Sequence, residues 1–411
     1  MEEKLQSTEE VKEQQRALAQ KAQRKTAAAK VIFALLLVAA VVFGLSFSIG
    51  SENESVQSGA SSAVSSPANT TESEREEAAY CSVIDSEGRS VSVPVFPQNV
   101  AVLDSFSSEV ALMLGAGDQL YSVPGGTMSD ELLQTIYPLL ENLEQAYGNQ
   151  VNIEDLLSAQ VDLVLVKSSL SDAERAKLES VNIPYVVVSY STLDEQLEAL
   201  DLVAEVLGEA TQERGEKLHE AYDSMISVVD EHTARIPEAD RLHVYHSIND
   251  ALLTDSASSL GASWIARAGA ISVSADEAPT SGSDYTATIE VIYQWQPDAI
   301  ICNVAATAQT IREDKQWQAL NAVTSGNVYA IPIGATRWGQ RGSVETPLAM
   351  VWLGCTLYPD VYADVDLKDL VVSYYGDCLG ITVDDELYEK ILSGEGIRST
   401  GNGAGAGSGG K

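Results

Sequence analysis

Histidine is scarce in this 411-residue sequence, with only His219, His232, His243 and His246. A bare zinc or manganese ion needs several ligating side chains, usually including histidine. His219 and His232 fall on one long helical pattern and His243 within a strand pattern, so one histidine is left for any cleft. A directly ligated metal is therefore not expected, and no cofactor is called for. Cysteine is as rare. Cys81, Cys302, Cys355 and Cys378 match no zinc or thioredoxin spacing. Outside a cell a disulfide is allowed, and Cys355–Cys378 is the expected pair, whereas Cys302 sits in an apolar run and reads as a buried thiol. Three catalytic signatures are missing: the Gly-x-Ser-x-Gly elbow, the metalloprotease helix motif and the phosphate-cradling loop ending in Lys-Ser/Thr. Basic residues are also in deficit, 25 against 60 acidic, for a formal charge of −35. The first fifty residues carry seven basic and five acidic residues, so the remainder holds 18 against 55, a net of −37. Such a body repels phosphate backbones and excludes nucleic acid as a partner. It reads as a solubilising surface for life outside a cell.

The one long uncharged run is residues 31–49, VIFALLLVAAVVFGLSFSI. As a helix it would extend about 28 Å, enough to cross a bilayer. Arg24, Lys25 and Lys30 precede it while Glu52 and Glu54 follow, which places the N-terminus in the cytoplasm and the body outside. A cleaved signal peptide is the competing reading, and cleavage would leave the protein secreted. The thirty-residue leader is long for a signal sequence and favours a retained anchor. The chain divides into a leader (1–30), the anchor (31–49), a Ser/Glu/Ala-rich stalk (50–79) and a body, then a Gly/Ala/Ser tail (399–411).

Within the body, a phrase occurs twice. Ile153-Glu154 leads to Asp162 and the run Leu163–Val166, and Ile289-Glu290 leads to Asp298 and the run Ala299–Cys302. Both have an Asp eight residues after the Glu. The copies stand about one domain apart, too far for a solenoid. Short apolar runs alternate with helical patterns around each, which indicates α/β organisation. In an N-terminal lobe (80–207), strands are expected at 100–103, 120–123, 163–166 and 185–188, with helices at 107–114, 153–158, 172–181 and 193–207. In a C-terminal lobe (238–343), strands are expected at 242–245, 252–254, 299–302 and 328–331, with helices at 259–268, 289–295 and 316–322. Between the lobes (208–237), apolar residues at three- and four-residue steps from Leu218 to Val229 call for one long amphipathic helix ending at Pro237. Helical patterns over 344–357, 367–375 and 384–392 form a C-terminal cap (344–398).

Further pieces fall in a recognisable order: Leu114-Gly115-Ala116-Gly117-Asp118, Asn182-Ile183-Pro184, Trp295-Gln296-Pro297-Asp298, Val328-Tyr329 with Ile331-Pro332, and Leu357-Tyr358-Pro359. Together they resemble the substrate-binding proteins of ABC importers for cobalamin, ferric siderophores and related chelates, over about residues 90–395. The resemblance implies two Rossmann-like lobes joined by a single long helix, with ligand in the cleft between them and no catalysis. It implies delivery to a permease dimer, whose arginines would receive Glu154 and Glu290. An exposed carboxylate at a helix start suits that task, since Arg binds it bidentately. The bland reading is a first-turn acid favoured by the helix dipole. The sequence departs from the family at Gln160-Val161-Asp162, at Gly269-Ala270-Ile271, and in lacking a lipid-attachment Cys after the hydrophobic span.

Ligands of α/β folds lie beyond strand C-termini. That rule selects Ser105 and Phe106, Gly125-Gly126 and Lys167-Ser168 in the first lobe, and Tyr245, His246 and the 336–341 loop in the second. In that loop Arg337 and Arg341 flank Trp338, pairing an apolar platform with two clamps for carboxylate or oxyanion. A loop Trp that wedges against the cap is the alternative for Trp338. Tyr147 is a further candidate, while Tyr190 and Trp264 read as packing residues. The expected function is capture of a metal chelate (ferric siderophore, corrinoid or related iron complex) outside the membrane. Oxyanions and haem remain open, as do two other classes: a cell-surface α/β hydrolase, with Ser105 and His246 as a conceivable pair, and a ligand-sensing ectodomain.

Overall fold

The apolar runs become strands buried on both faces. The structure, a computed structural model, describes residues 80–148, 150–275, 284–394 and 396. The expected leader, anchor, stalk and tail lie outside the described residues. Among the described residues no helix is long and apolar enough to cross a membrane.

The chain enters through an antiparallel hairpin, β1 (Tyr80–Ile84) and β2 (Ser90–Pro94). Asp85 ties its turn by accepting from the backbone N–H groups of Glu87 and Arg89. β2 alternates Ser90-Val91-Ser92-Val93, a period-two signal in the sequence, with Val93 buried. In the first lobe, β3 (Val100–Val102), β4 (Leu120–Pro124), β5 (Glu144–Ala146), β6 (Leu163–Val166) and β7 (Tyr185–Val187) form a parallel sheet in the order β5-β4-β3-β6-β7. Every residue of β3, β6 and β7 is buried, as a parallel sheet covered on both sides requires.

The second lobe contains β8 (His243–Ser247), β9 (Leu253–Asp255), β10 (Ile271–Ser272), β11 (Asp284–Thr286), β12 (Ala299–Cys302) and β13 (Val328–Ala330). Four of these make a parallel sheet ordered β10-β8-β12-β13, and β9 pairs antiparallel with β11. In each sheet the chain order reverses beside the first strand, between β3 and β6 and between β8 and β12. A crevice opens at the carboxyl ends of those strands.

One helix, Glu209–Thr233, links the lobes; at 25 residues it is about 37 Å long. It buries Leu218, Tyr222, Met225 and Val229 against the helices Leu193–Val206 and Thr346–Leu357. The Tyr222 hydroxyl donates to the Val344 carbonyl and so ties this helix to the start of the cap.

Two expectations fail. The helix expected at 316–322 is mostly turn. The Asp314 carboxylate accepts from the Gln316 N–H and holds the chain in a side-chain-capped turn, leaving only Asn321–Thr324 helical. The apolar-poor segment before it, Ala305–Glu313, is helical instead, burying only Ala308 and Ile311. The pair Cys355–Cys378 is not formed, and all four thiols are free. Burial pushes the Cys355 and Cys378 thiols up to about 11 and about 12.

Candidate functional site

The repeated phrase has a structural half and an exposed half. Asp162 accepts from the backbone N–H groups of Gln98 (2.8 Å) and Asn99 (3.1 Å), just before β3. Asp298 does the same for His243 (2.8 Å) at the start of β8. In both lobes, therefore, the Asp clasps the entry to the first strand. Two residues earlier, Gln160 (φ 55°) and Gln296 (φ 45°) both take the left-handed conformation that ends the short helix. The shared Gln-x-Asp was a signal present in the sequence but not used. Glu154 and Glu290, by contrast, are exposed in the first turns of Ile153–Ser158 and Ile289–Trp295. The backbone N–H of Glu290 and the Thr288 hydroxyl hold the Glu290 carboxyl below the usual range.

Two cavities lie in the crevice between the lobes, and a third adjoins them within the second lobe. The first, about 310 Å³, is lined by Ser105, Glu109 and Asp130 from the first lobe and by Thr336, Arg337 and Arg341 from the second. The next, about 320 Å³, lies between Asp104, Lys167, Ser168 and Tyr190 on one side and Ser259 and Arg341 on the other. The third, about 200 Å³, is bounded by His246, Asp255, Asn303, Gln340 and Arg341. Arg341 borders all three. Its side chain is half exposed, with Asp284 at 3.5 Å.

The 336–341 loop is anchored from below. Glu345, fully buried at the start of the cap, accepts from the N–H groups of Ala335 (3.1 Å) and Thr336 (2.7 Å), from the Thr336 hydroxyl (2.9 Å) and from the Tyr375 hydroxyl. Burial nevertheless outweighs these donors and lifts its carboxyl to about 7. Trp264, also fully buried, donates its indole N–H to the Gly339 carbonyl at 2.9 Å. Gly339 has φ 71°, and a Cβ there would stand 2.8 Å from the Trp264 ring. Gly334 is equally constrained, since a Cβ would overlap the Tyr375 hydroxyl and the Glu345 carboxylate. The loop that carries both arginines is thus rigid at its base and open at its tip.

Of the expected ligand contacts, Ser105, Lys167, Arg337 and Arg341 border the cleft cavities. His246 reaches one, but both ring nitrogens are engaged: Nδ1 with Asp255 at 2.6 Å and Nε2 with the Asn303 side-chain oxygen at 2.8 Å. Burial opposes charge on this ring, and Asp255 with Asn303 overcomes it, so its pKa lies above the ordinary value. Its engagement with Asp255 and Asn303 removes it as a partner for Ser105. Three expectations are corrected by packing. Phe106 is buried and packs on the Tyr190 ring at 4.7 Å. Tyr245 is buried on the far side of its sheet, donating its hydroxyl to the Ala251 carbonyl. Trp338 is fully buried against the cap, its indole N–H 3.4 Å from the Tyr375 hydroxyl. Alternation along a strand, or one register step in a loop, sends such large side chains inward. Tyr147 is exposed and lies outside these three cavities. Tyr190, read as packing, borders the cleft and accepts from the Gly342 N–H.

The sequence reading passed over Asp104, Glu109, Asp130 and Glu345. Glu109 follows Ser105 by four residues, hence on the same helix face, a spacing that could have flagged it.

Residues 100–333, more than half of the chain, match the family described as "Periplasmic binding protein". The chain belongs to that family. It is a non-catalytic, extracytoplasmic substrate-binding component of an ABC importer, which implies a permease and a small ligand as partners. The molybdate-binding protein MolA of Haemophilus influenzae is 25% identical over 318 residues, 71% of this chain and 89% of that protein. Its molybdate-bound crystal structure superposes with a TM-score of 0.66, covering 74% of this chain and 99% of that one at 24% identity. The Helicobacter pylori CeuE structure with Ni(II) bound gives 0.64 at 15% identity, covering 76% and 99% of the two chains. These two superpositions speak to the fold.

Proposed function

We propose that this protein captures a compact anionic metal complex in the interlobe cleft and hands it to the permease through Glu154 and Glu290. The observation that carries the reading is Arg341, a half-exposed guanidinium common to both interlobe cavities and to the one adjoining them, with Arg337 beside it on the first. A guanidinium fork matches a carboxylate, hydroxamate or metal-bound oxygen pair. Local cations of this kind offset the acidity of the whole body where the ligand sits. Among the described residues no cluster of three or more His, Cys, Asp or Glu is placed to hold a metal ion. The cavity volumes, about 200 to 320 Å³, fall at or below the small end of ligand pockets. Each alone matches a small ferric chelate, whereas a corrinoid would need the cavities around Arg341 to act as one. A metal oxyanion is the second reading, supported by the relative named for molybdate and by the same small volumes.

Titration calorimetry with ferric citrate and with sodium molybdate tests the proposal. Arg341→Ala should weaken whichever probe binds by about ten- to a hundredfold, the effect of removing one charge-assisted contact. Unchanged affinity in that variant would place the ligand elsewhere.

A further inference from the structure

Glu109 is the odd group in the cleft. It projects from the second turn of Ser105–Met113 and is 1% exposed, yet it borders the 310 Å³ cavity. The Val344 backbone bonds its carboxyl on one side. The other oxygen, Oε2, is buried and has no hydrogen-bond partner. A buried polar atom left unpaired is costly, and one that faces a binding cavity is satisfied by what enters.

The surroundings decide which form Glu109 takes. Glu345 approaches from the cap, Asp130 from the segment after β4, and Asp104 from the cap of its own helix. Tyr190 and Tyr222 face it as hydroxyls with pKa values raised by burial. Glu131 borders the same cavity, as do Arg337 and Arg341 across the cleft. Burial first, and the neighbouring carboxylates second, push the Glu109 carboxyl well above its usual range. A carboxyl so placed favours its protonated form, in which it turns from an acceptor into a donor.

We propose that Glu109 is a ligand-binding residue that stays protonated and donates its Oε2–H to an anionic oxygen of the bound complex. It supplies the first-lobe contact opposite the arginines of the second lobe. The inference rests on the anionic-ligand reading given above. It assigns the cleft two kinds of donor: guanidinium groups that attract the charge from solution, and a neutral acid that accepts only a ligand oxygen with a lone pair to offer. Ionisation of Glu109 replaces the donor with a repelling carboxylate, so capture of a fully deprotonated anion is linked to one proton.

Calorimetric titration of the whole protein with sodium molybdate and with ferric citrate, from about pH 5.5 to pH 8.5, tests this. Wherever Glu109 ionises in the empty cleft, wild-type affinity should fall with rising pH by up to about tenfold per pH unit. Glu109→Gln keeps a neutral donor and should lose that slope while matching wild type at the acid end. Glu109→Ala should bind about ten- to a hundredfold more weakly at the acid end. Glu345, raised to about 7, titrates between these pH values, and it is retained in Glu109→Gln, so the difference in slope between those two proteins isolates Glu109. Parallel pH profiles for wild type and Glu109→Gln would overturn the inference and leave the binding reading intact. Should Glu109→Ala fail to fold, that comparison alone decides. Absence of binding to either probe at every pH would remove the anionic-ligand reading and this inference together.

Discussion

Glu345→Gln is the substitution whose effect on stability follows most directly from the structure. The Glu345 carboxyl stands at about 7 in the folded protein against an ordinary 4.5, with burial as the first cause. A carboxyl raised on folding binds its proton more tightly in the native state. It therefore contributes stability that is fully present below about pH 4.5 and is lost as pH rises through about 7. The size is roughly 3 kcal/mol. Gln cannot titrate, so the stability difference between wild type and Glu345→Gln should shift by that amount across the window, while other titrating groups act on both proteins alike. Urea unfolding at half-unit pH steps measures it. Glu345→Ala goes further, because the N–H groups of Ala335 and Thr336 and the Tyr375 hydroxyl lose their acceptor. The Thr336 hydroxyl keeps Ser343 as a partner. Three donors left without an acceptor at roughly 1–3 kcal/mol each give a loss of about 3–9 kcal/mol, a large share of a typical domain's stability. Parallel pH curves for wild type and Glu345→Gln, or a loss below about 1 kcal/mol for Glu345→Ala, would refute the reasoning.

Gly339→Ala should destabilise by about 2–4 kcal/mol in the same assay, since it combines a left-handed φ with overlap against the Trp264 ring. Thiol labelling of the native protein should modify Cys81 fastest, and denaturation should expose all four, because Cys302 is buried and the half-buried Cys355 and Cys378 thiols are pushed up to about 11 and about 12. The double variant Glu154→Ala with Glu290→Ala should keep wild-type ligand affinity in calorimetry and abolish uptake in cells. An equal loss of binding would show that these carboxylates serve the cleft rather than the permease.

The architecture was legible because its signals are periodic. The runs at Leu163–Val166 and Ala299–Cys302 and the helices Ile153–Ser158 and Ile289–Trp295 fall where the sequence puts them. Leu218 through Val229 already mark the buried stripe of the linking helix. What period does not encode was missed. The turn at Asp314 depends on its carboxylate. Strand ends identify which segments reach the crevice, and Ser105, Lys167 and Arg341 border its cavities. They do not say which way a bulky neighbour turns, and Phe106, Tyr245 and Trp338 turn into the core. Glu109 and Glu345 escaped notice because an acidic residue in an acidic chain looks like solvent-facing charge until burial is known.

Native mass spectrometry of the protein purified from its source most directly tests the claim that the interlobe cleft holds a compact anionic metal complex. A one-to-one adduct of small mass carrying a metal, lost in Arg341→Ala, is the expected result. An adduct retained undiminished in that variant, or one of corrinoid size, would contradict the account.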